Sequence, residues 1–96
     1  MTPPFPVRST PRFERTMKKL LKHHPELRGY LDRVWEILAG DPYNQTLTHP
    51  IKKLEGAKTG EGQYRLRLGR WRFRYDIQSN EVVLQDCSLR REDTYR

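Results

Sequence analysis

The spacing of hydrophobic positions changes near residue 63. Upstream it follows a helix. Phe13, Met17, Leu20 and Leu21 recur at helical intervals, with lysines and arginines between them. Thr10 is a natural N-cap, and Pro11 fits a first helical turn. His23-His24-Pro25 breaks the pattern. It resumes with Leu27, Tyr30, Leu31, Val34, Trp35, Ile37 and Leu38, until Gly40 and Asp41-Pro42 stop it. So short a break predicts a helix hairpin over 11–39 that lies on a sheet.

Downstream the period is two. Tyr64-Arg-Leu-Arg-Leu-Gly-Arg-Trp-Arg-Phe-Arg-Tyr75 alternates apolar and cationic positions. Strands are predicted at Gln63–Leu68, Trp71–Ile77 and Glu81–Cys87, separated by Gly69-Arg70 and Gln78-Ser79-Asn80. They form an antiparallel meander. Leu66, Phe73 and Leu84 are expected to face Leu20, Leu31 and Val34 on the helices. Residues 43–62 are mostly polar connector, with turns at Gly56, Gly60 and Gly62 and a short strand near Ile51–Leu54. Residues 1–9 are rich in proline, which leaves a loose tail or an edge strand around Phe5–Arg8. The expected fold class is α+β, a two-helix hairpin packed on an antiparallel β-sheet, with residues 1–96 as a single domain.

Charge sharpens this picture. The 96 residues carry a net charge of +7, and the pI is near 9.9. An RNA, a DNA or an acidic protein is the favoured partner. The single cysteine, Cys87, excludes an internal disulfide and agrees with a reducing cytoplasm. No apolar run approaches the ~20 residues of a membrane helix, and the start of the chain has no signal-peptide core.

The arginines carry the chemistry. Arg65, Arg67, Arg70, Arg72 and Arg74 fall in a stretch without an acidic residue. Strand arginines on one face repel one another unless an anion sits among them or nearby acids pair with them. Glu55, Glu61, Asp76, Asp86 and the acids of the helices are available for pairing. Arg90 and Arg91 extend the basic character, and Tyr95 precedes Arg96 at the end. Such a set can cleave RNA without metal. Cations hold the scissile phosphate, and a tyrosine near arginines has a stabilised phenolate that can accept a proton. Other chemistries lack support. His23, His24 and His49 have no ligand spacing, so no metal is expected. Phosphate-loop and dinucleotide signatures are missing, so no cofactor is expected. Cys87 reads as a small core residue, and the His-His pair as a solvated helix end.

These residues resemble a known family. Lys52-Lys-Leu-Glu-Gly56, the Tyr64–Ile77 hairpin and Arg90-Arg-Glu-Asp-Thr-Tyr-Arg96 are similar to the RelE/ParE superfamily of toxin–antitoxin toxins. The resemblance spans about residues 5–96 and implies a RelE-like, microbial-ribonuclease-like fold. It implies a cytoplasmic toxin that inhibits translation by metal-independent cleavage of mRNA on the ribosome. A cognate antitoxin, acidic and partly disordered, would neutralise it. By motif, the catalytic set would be Arg65, Arg67, Arg72, Arg90 and Tyr95, and the RNA-binding set Lys52, Lys53, Arg74 and Arg91. Arginine stands where relatives have lysine at the first two positions. Ser88-Leu89 stands where many relatives have Gly-His, so a histidine there can have no role in this chain. The alternatives are a ParE-like gyrase inhibitor without catalysis and a plain basic RNA-binding module.

Overall fold

Thr10 and Pro11 start the first helix as their chemistry requires. In α1 (Pro11–His23) the Thr10 hydroxyl oxygen accepts a bond from the Phe13 N–H at 3.1 Å. The helix closes at His24, whose N–H donates to the Leu20 carbonyl. After a short turn, α2 (Leu27–Gly40) runs to Asp41, whose N–H donates to the Ile37 carbonyl. The structure is a computed structural model and describes residues 5–89. Neither helix is long and apolar enough to cross a membrane.

Five strands form one sheet: β1 (Val7–Ser9), β2 (Ile51–Lys53), β3 (Tyr64–Leu68), β4 (Trp71–Gln78) and β5 (Glu81–Leu89). Their spatial order is β1-β5-β4-β3-β2. The meander β3-β4-β5 is antiparallel as expected, and β2 joins it antiparallel to β3. The sheet is nevertheless mixed, because β1 lies parallel to β5. Local alternation cannot say which strand a three-residue edge segment joins; that pairing spans most of the chain.

Both hairpin turns have two residues. Gly69 opens the β3–β4 turn at φ +59°, the first central position that glycine fills in a type II′ turn. A Cβ there would also meet the Tyr30 hydroxyl at 3.2 Å, so glycine lets the hairpin tip approach α2. Ser79 and Asn80 both have positive φ, the requirement of a type I′ turn. The loop is therefore shorter than the separator expected from sequence, and β4 reaches Gln78.

The core lies between the helices and one face of the sheet. Leu66, Phe73 and Leu84 are fully buried with Val34, and Leu20 and Leu31 pack partly buried against the same cluster. One irregularity decides the facing of β5. Phe73 pairs with Cys87 and Arg74 with Asp86, but Tyr75 pairs with Leu84, so Gln85 is an extra residue. This bulge lets Leu84 and Cys87 both face the helices although they are three residues apart.

Candidate nucleic-acid interface

Alternation sends Trp71, Phe73 and Tyr75 to the helices, so Arg72, Arg74 and Asp76 must occupy the other face. The register then assembles two cross-strand rows on that open face. One row is Lys52, Arg65, Arg74 and Asp86, from β2 to β5. The next is Arg67, Arg72 and Ser88. Directly opposite residues have Cβ atoms about 4.5–5.5 Å apart. Neighbouring rows on one face are about 7 Å apart along the strand. Arg65, Arg67 and Arg72 thus surround a patch the size of one phosphodiester.

Among the described residues, four acids near the sheet are engaged elsewhere. Asp76 is fully buried. Its carboxylate accepts from the N–H groups of Gly60 at 2.8 Å and Gln63 at 2.9 Å, and from the Gln85 amide at 2.9 Å. Asp86 lies 3.5 Å from Arg12 at the start of α1. Glu81 pairs with Arg8 on β1, and Glu61 accepts from the Lys58 N–H. Among the described residues, neither Arg65 nor Arg67 has a carboxylate within ion-pair distance. Arg67 is exposed, and Arg65 and Arg72 are half-buried.

Arg74 has a structural task. Its guanidinium donates twice to the Gly62 carbonyl, at 3.2 and 2.9 Å. With Asp76 it ties the 54–63 loop to β4. Gly62 lies so close that a Cβ would stand 2.6 Å from the Arg74 Cβ, at φ +91°.

The fold and this face can be compared with known proteins. The chain matches the solved structure of the toxin–antitoxin complex RelBE2 from Mycobacterium tuberculosis with a TM-score of 0.57 and 27% identity. The match covers 91% of this chain and 99% of that one. This likeness in fold and sequence supports a place in the RelE-like toxin superfamily. No family model matches the sequence, and no curated protein matches it.

In this RelE-like fold, the residues singled out from sequence divide into three groups. Lys52, Arg65, Arg67 and Arg72 share the open face. Arg74 shares it too, but holds the Gly62 carbonyl. Lys53 stands apart: it is opposite Tyr64, and its ammonium lies 6.0 Å from the Tyr64 ring centre on the helix side of the sheet. Adjacent strand residues point to opposite faces, so Lys52 and Lys53 cannot serve one surface together. Arg90, Arg91 and Tyr95 lie outside the described residues.

The remaining titratable groups have other uses. Burial, reinforced by the Asp86 charge, pushes the Cys87 thiol up to about 12. It is an inert core group, as the sequence suggested. Burial also holds the Tyr75 phenol well above its ordinary 10.0, with the charges of Tyr64 and Asp41 adding to the effect. The Tyr75 hydroxyl donates to the Pro42 carbonyl at 2.7 Å. His24 is more than a solvated helix end. Its ring meets the edge of Trp71 at 5.2 Å, and Nδ1 lies 3.5 Å from Glu26. His49 sits beside Asp41 and brackets Asn44 through its backbone. The described part of the arginine face can bind and polarise a phosphate.

Proposed function

We propose that this chain is the toxin of a toxin–antitoxin pair, and that it stops translation by cutting mRNA on the ribosome without a metal ion. One observation carries the reading. Two like-charge pairs, Arg65–Arg74 and Arg67–Arg72, stand directly opposite one another on adjacent strands, and among the described residues Asp76 is bonded to the 54–63 loop and Asp86 to Arg12. Such pairs oppose folding. A phosphate between them turns the same charges into a binding site.

The reaction is attack by a ribose 2′-oxygen on the adjacent phosphorus. The O2′–P bond forms and the 2′-proton passes to the general base, the P–O5′ bond breaks, and the departing 5′-oxygen takes a proton from water. Negative charge on the phosphate rises in the transition state, so fixed guanidinium groups favour it over the ground state. Arg72 neutralises the scissile phosphate. Arg65 and Arg67 orient the strand and stabilise the forming 2′-oxyanion. Arg90 supports the leaving side. Tyr95 accepts the 2′-proton or stacks on a base. Lys52 and Arg91 steer RNA towards the face.

The matched solved structure is of a toxin–antitoxin complex, which supports a protein partner here. A net charge of +7 suits an acidic antitoxin that is partly disordered when free. The reading implies a cytoplasmic protein. Its test is expression without a partner, followed by measurement of protein synthesis and mapping of mRNA 5′ ends. Translation should stop and new ends should carry 5′-hydroxyls. Arg72→Ala and Tyr95→Phe should each lose on the order of 10²–10³ in cleavage rate, and Arg70→Ala, at the exposed hairpin tip, should not. Undiminished protein synthesis at confirmed soluble expression overturns the reading. Blocked replication with intact translation would point to a gyrase inhibitor, and RNA binding without cleavage to a binding module.

A further inference from the structure

The connector between α2 and β2 is bonded more heavily than a link between elements requires. The Asp41 carboxylate accepts from the N–H groups of Gln45 and Thr46 and from the Thr46 hydroxyl. The Asn44 side chain spans to both backbone groups of His49. The buried Tyr75 hydroxyl grips the carbonyl of Pro42. The residue next to that grip is Tyr43. The residue is 43% exposed, yet its ring is held edge-on between Phe5 at 5.9 Å and Tyr64 at 6.3 Å. Tyr64 in turn stacks on Tyr75, with ring centres 5.4 Å apart and planes 15° apart.

This ladder of rings starts in the core and ends in solvent beside the edge strand β2. Lys53 lies over Tyr64. Lys52, the preceding residue, points to the arginine face as the neighbour of Arg65. A cationic path therefore leads from the arginines, over the free edge of the sheet, to an exposed and fixed tyrosine. Rigid aromatic rings interleaved with cations are what single-stranded nucleic acids require, because every base has a face to stack and every linkage a charge.

We propose that Tyr43, backed by Tyr64 and flanked by Lys53, is a stacking subsite for one unpaired RNA base adjacent to the strand held on the arginine face. The proposal deepens the RNA reading above and rests on it. The ring supplies a stacking surface with little ordering on binding, since its neighbours already fix it. Lys53 supplies charge for the flanking phosphate. Stacking on a ring is tolerant of base identity, so the subsite secures the strand and does not select a sequence.

The probe is a fully 2′-O-methylated oligonucleotide of about 12 nucleotides, within the range of single-strand site sizes. It has no 2′-hydroxyl to react, so binding is measured without cleavage. A 2-aminopurine at successive positions reports stacking by loss of its fluorescence. Wild type should quench one position strongly. Tyr43→Phe should bind and quench alike. Tyr43→Leu keeps an apolar side chain without a π face and should lose both the quenching and about 5- to 100-fold in affinity. The salt slope should stay unchanged in Tyr43→Leu and fall by about 0.7 in Lys53→Ala. Full quenching and affinity in Tyr43→Leu overturn the subsite, as does a wild-type chain that binds no oligonucleotide. Loss in Tyr43→Phe equal to that in Tyr43→Leu also overturns it, because the hydroxyl rather than the ring would then be the contact. The outcomes in the Tyr43 variants leave the cleavage reading untouched, since that reading stands or falls on the mapping of mRNA ends.

Discussion

Replacing Arg67 with glutamine should stabilise the fold while it impairs the function. Arg67 is exposed on β3 and lies directly opposite Arg72 on β4. Two unit charges about 6 Å apart in a dielectric near 80 repel by about 0.7 kcal/mol. Glutamine keeps the polar character of the position and removes that term. For a domain of this size, 1 kcal/mol shifts the midpoint of thermal unfolding by about 4–8 °C. Arg67→Gln should therefore melt about 3–6 °C higher at ~0.01 M salt, where charges interact over about 30 Å. At ~1 M salt, where that range shrinks to about 3 Å, the difference should vanish. Thermal unfolding followed by circular dichroism at the two salt levels measures both. In the same variant RNA cleavage should fall on the order of 10²-fold. A variant that melts lower than wild type at low salt, or by the same margin at both, would refute the reasoning. It would mean that Arg67 is held by a bond and not opposed by a neighbour.

Three further outcomes follow from the packing and the titrating groups. Phe73→Ala should cost about 3–5 kcal/mol in urea unfolding, since Phe73 is fully buried in the core formed with the helices; a change near zero would mean the faces of β4 are reversed. Gly62→Ala should destabilise by about 1–3 kcal/mol, because the new Cβ meets that of Arg74 at φ +91°, and an unchanged urea midpoint would contradict that geometry. Alkaline pH should weaken the fold through Cys87. Its thiol titrates at about 12 in the folded chain against 9.0 ordinarily, so above pH 9.0 the unfolded chain releases a proton that the folded chain keeps. Stability is full below that point and falls as pH rises towards about 12. Cys87→Ala should flatten this decline, and an identical alkaline slope in the variant would assign it to other groups.

The periods of the sequence determined the elements, because one face of each helix and strand had to be apolar. Thr10-Pro11 and Gly69-Arg70 carried their own boundaries, since capping and turn conformation depend on neighbouring residues alone. The arginine alternation of β3 and β4 likewise determined that Arg65, Arg67 and Arg72 share a face, because strand side chains alternate whatever the strand pairs with. The bulge at Gln85 was not legible, because it is defined by the pairing of β5 with β4.

What remained depended on contacts distant in sequence. The parallel pairing of β1 with β5 joins segments at opposite ends of the chain. Asp76 was a plausible partner for an arginine, but the 54–63 loop folds over it and supplies N–H donors instead. Arg74 looked equivalent to its neighbours until that same loop brought the Gly62 carbonyl within its reach. Lys52 and Lys53 read as one basic pair, yet the edge strand turns them to opposite faces. Tyr43, in a stretch that read as polar connector, stands as an exposed ring at the end of an aromatic ladder, next to the Pro42 carbonyl that the Tyr75 hydroxyl binds. Periodicity reports which face a residue takes. Only the tertiary structure decides what stands opposite that face, and so which charges are spent on the fold and which remain for a ligand.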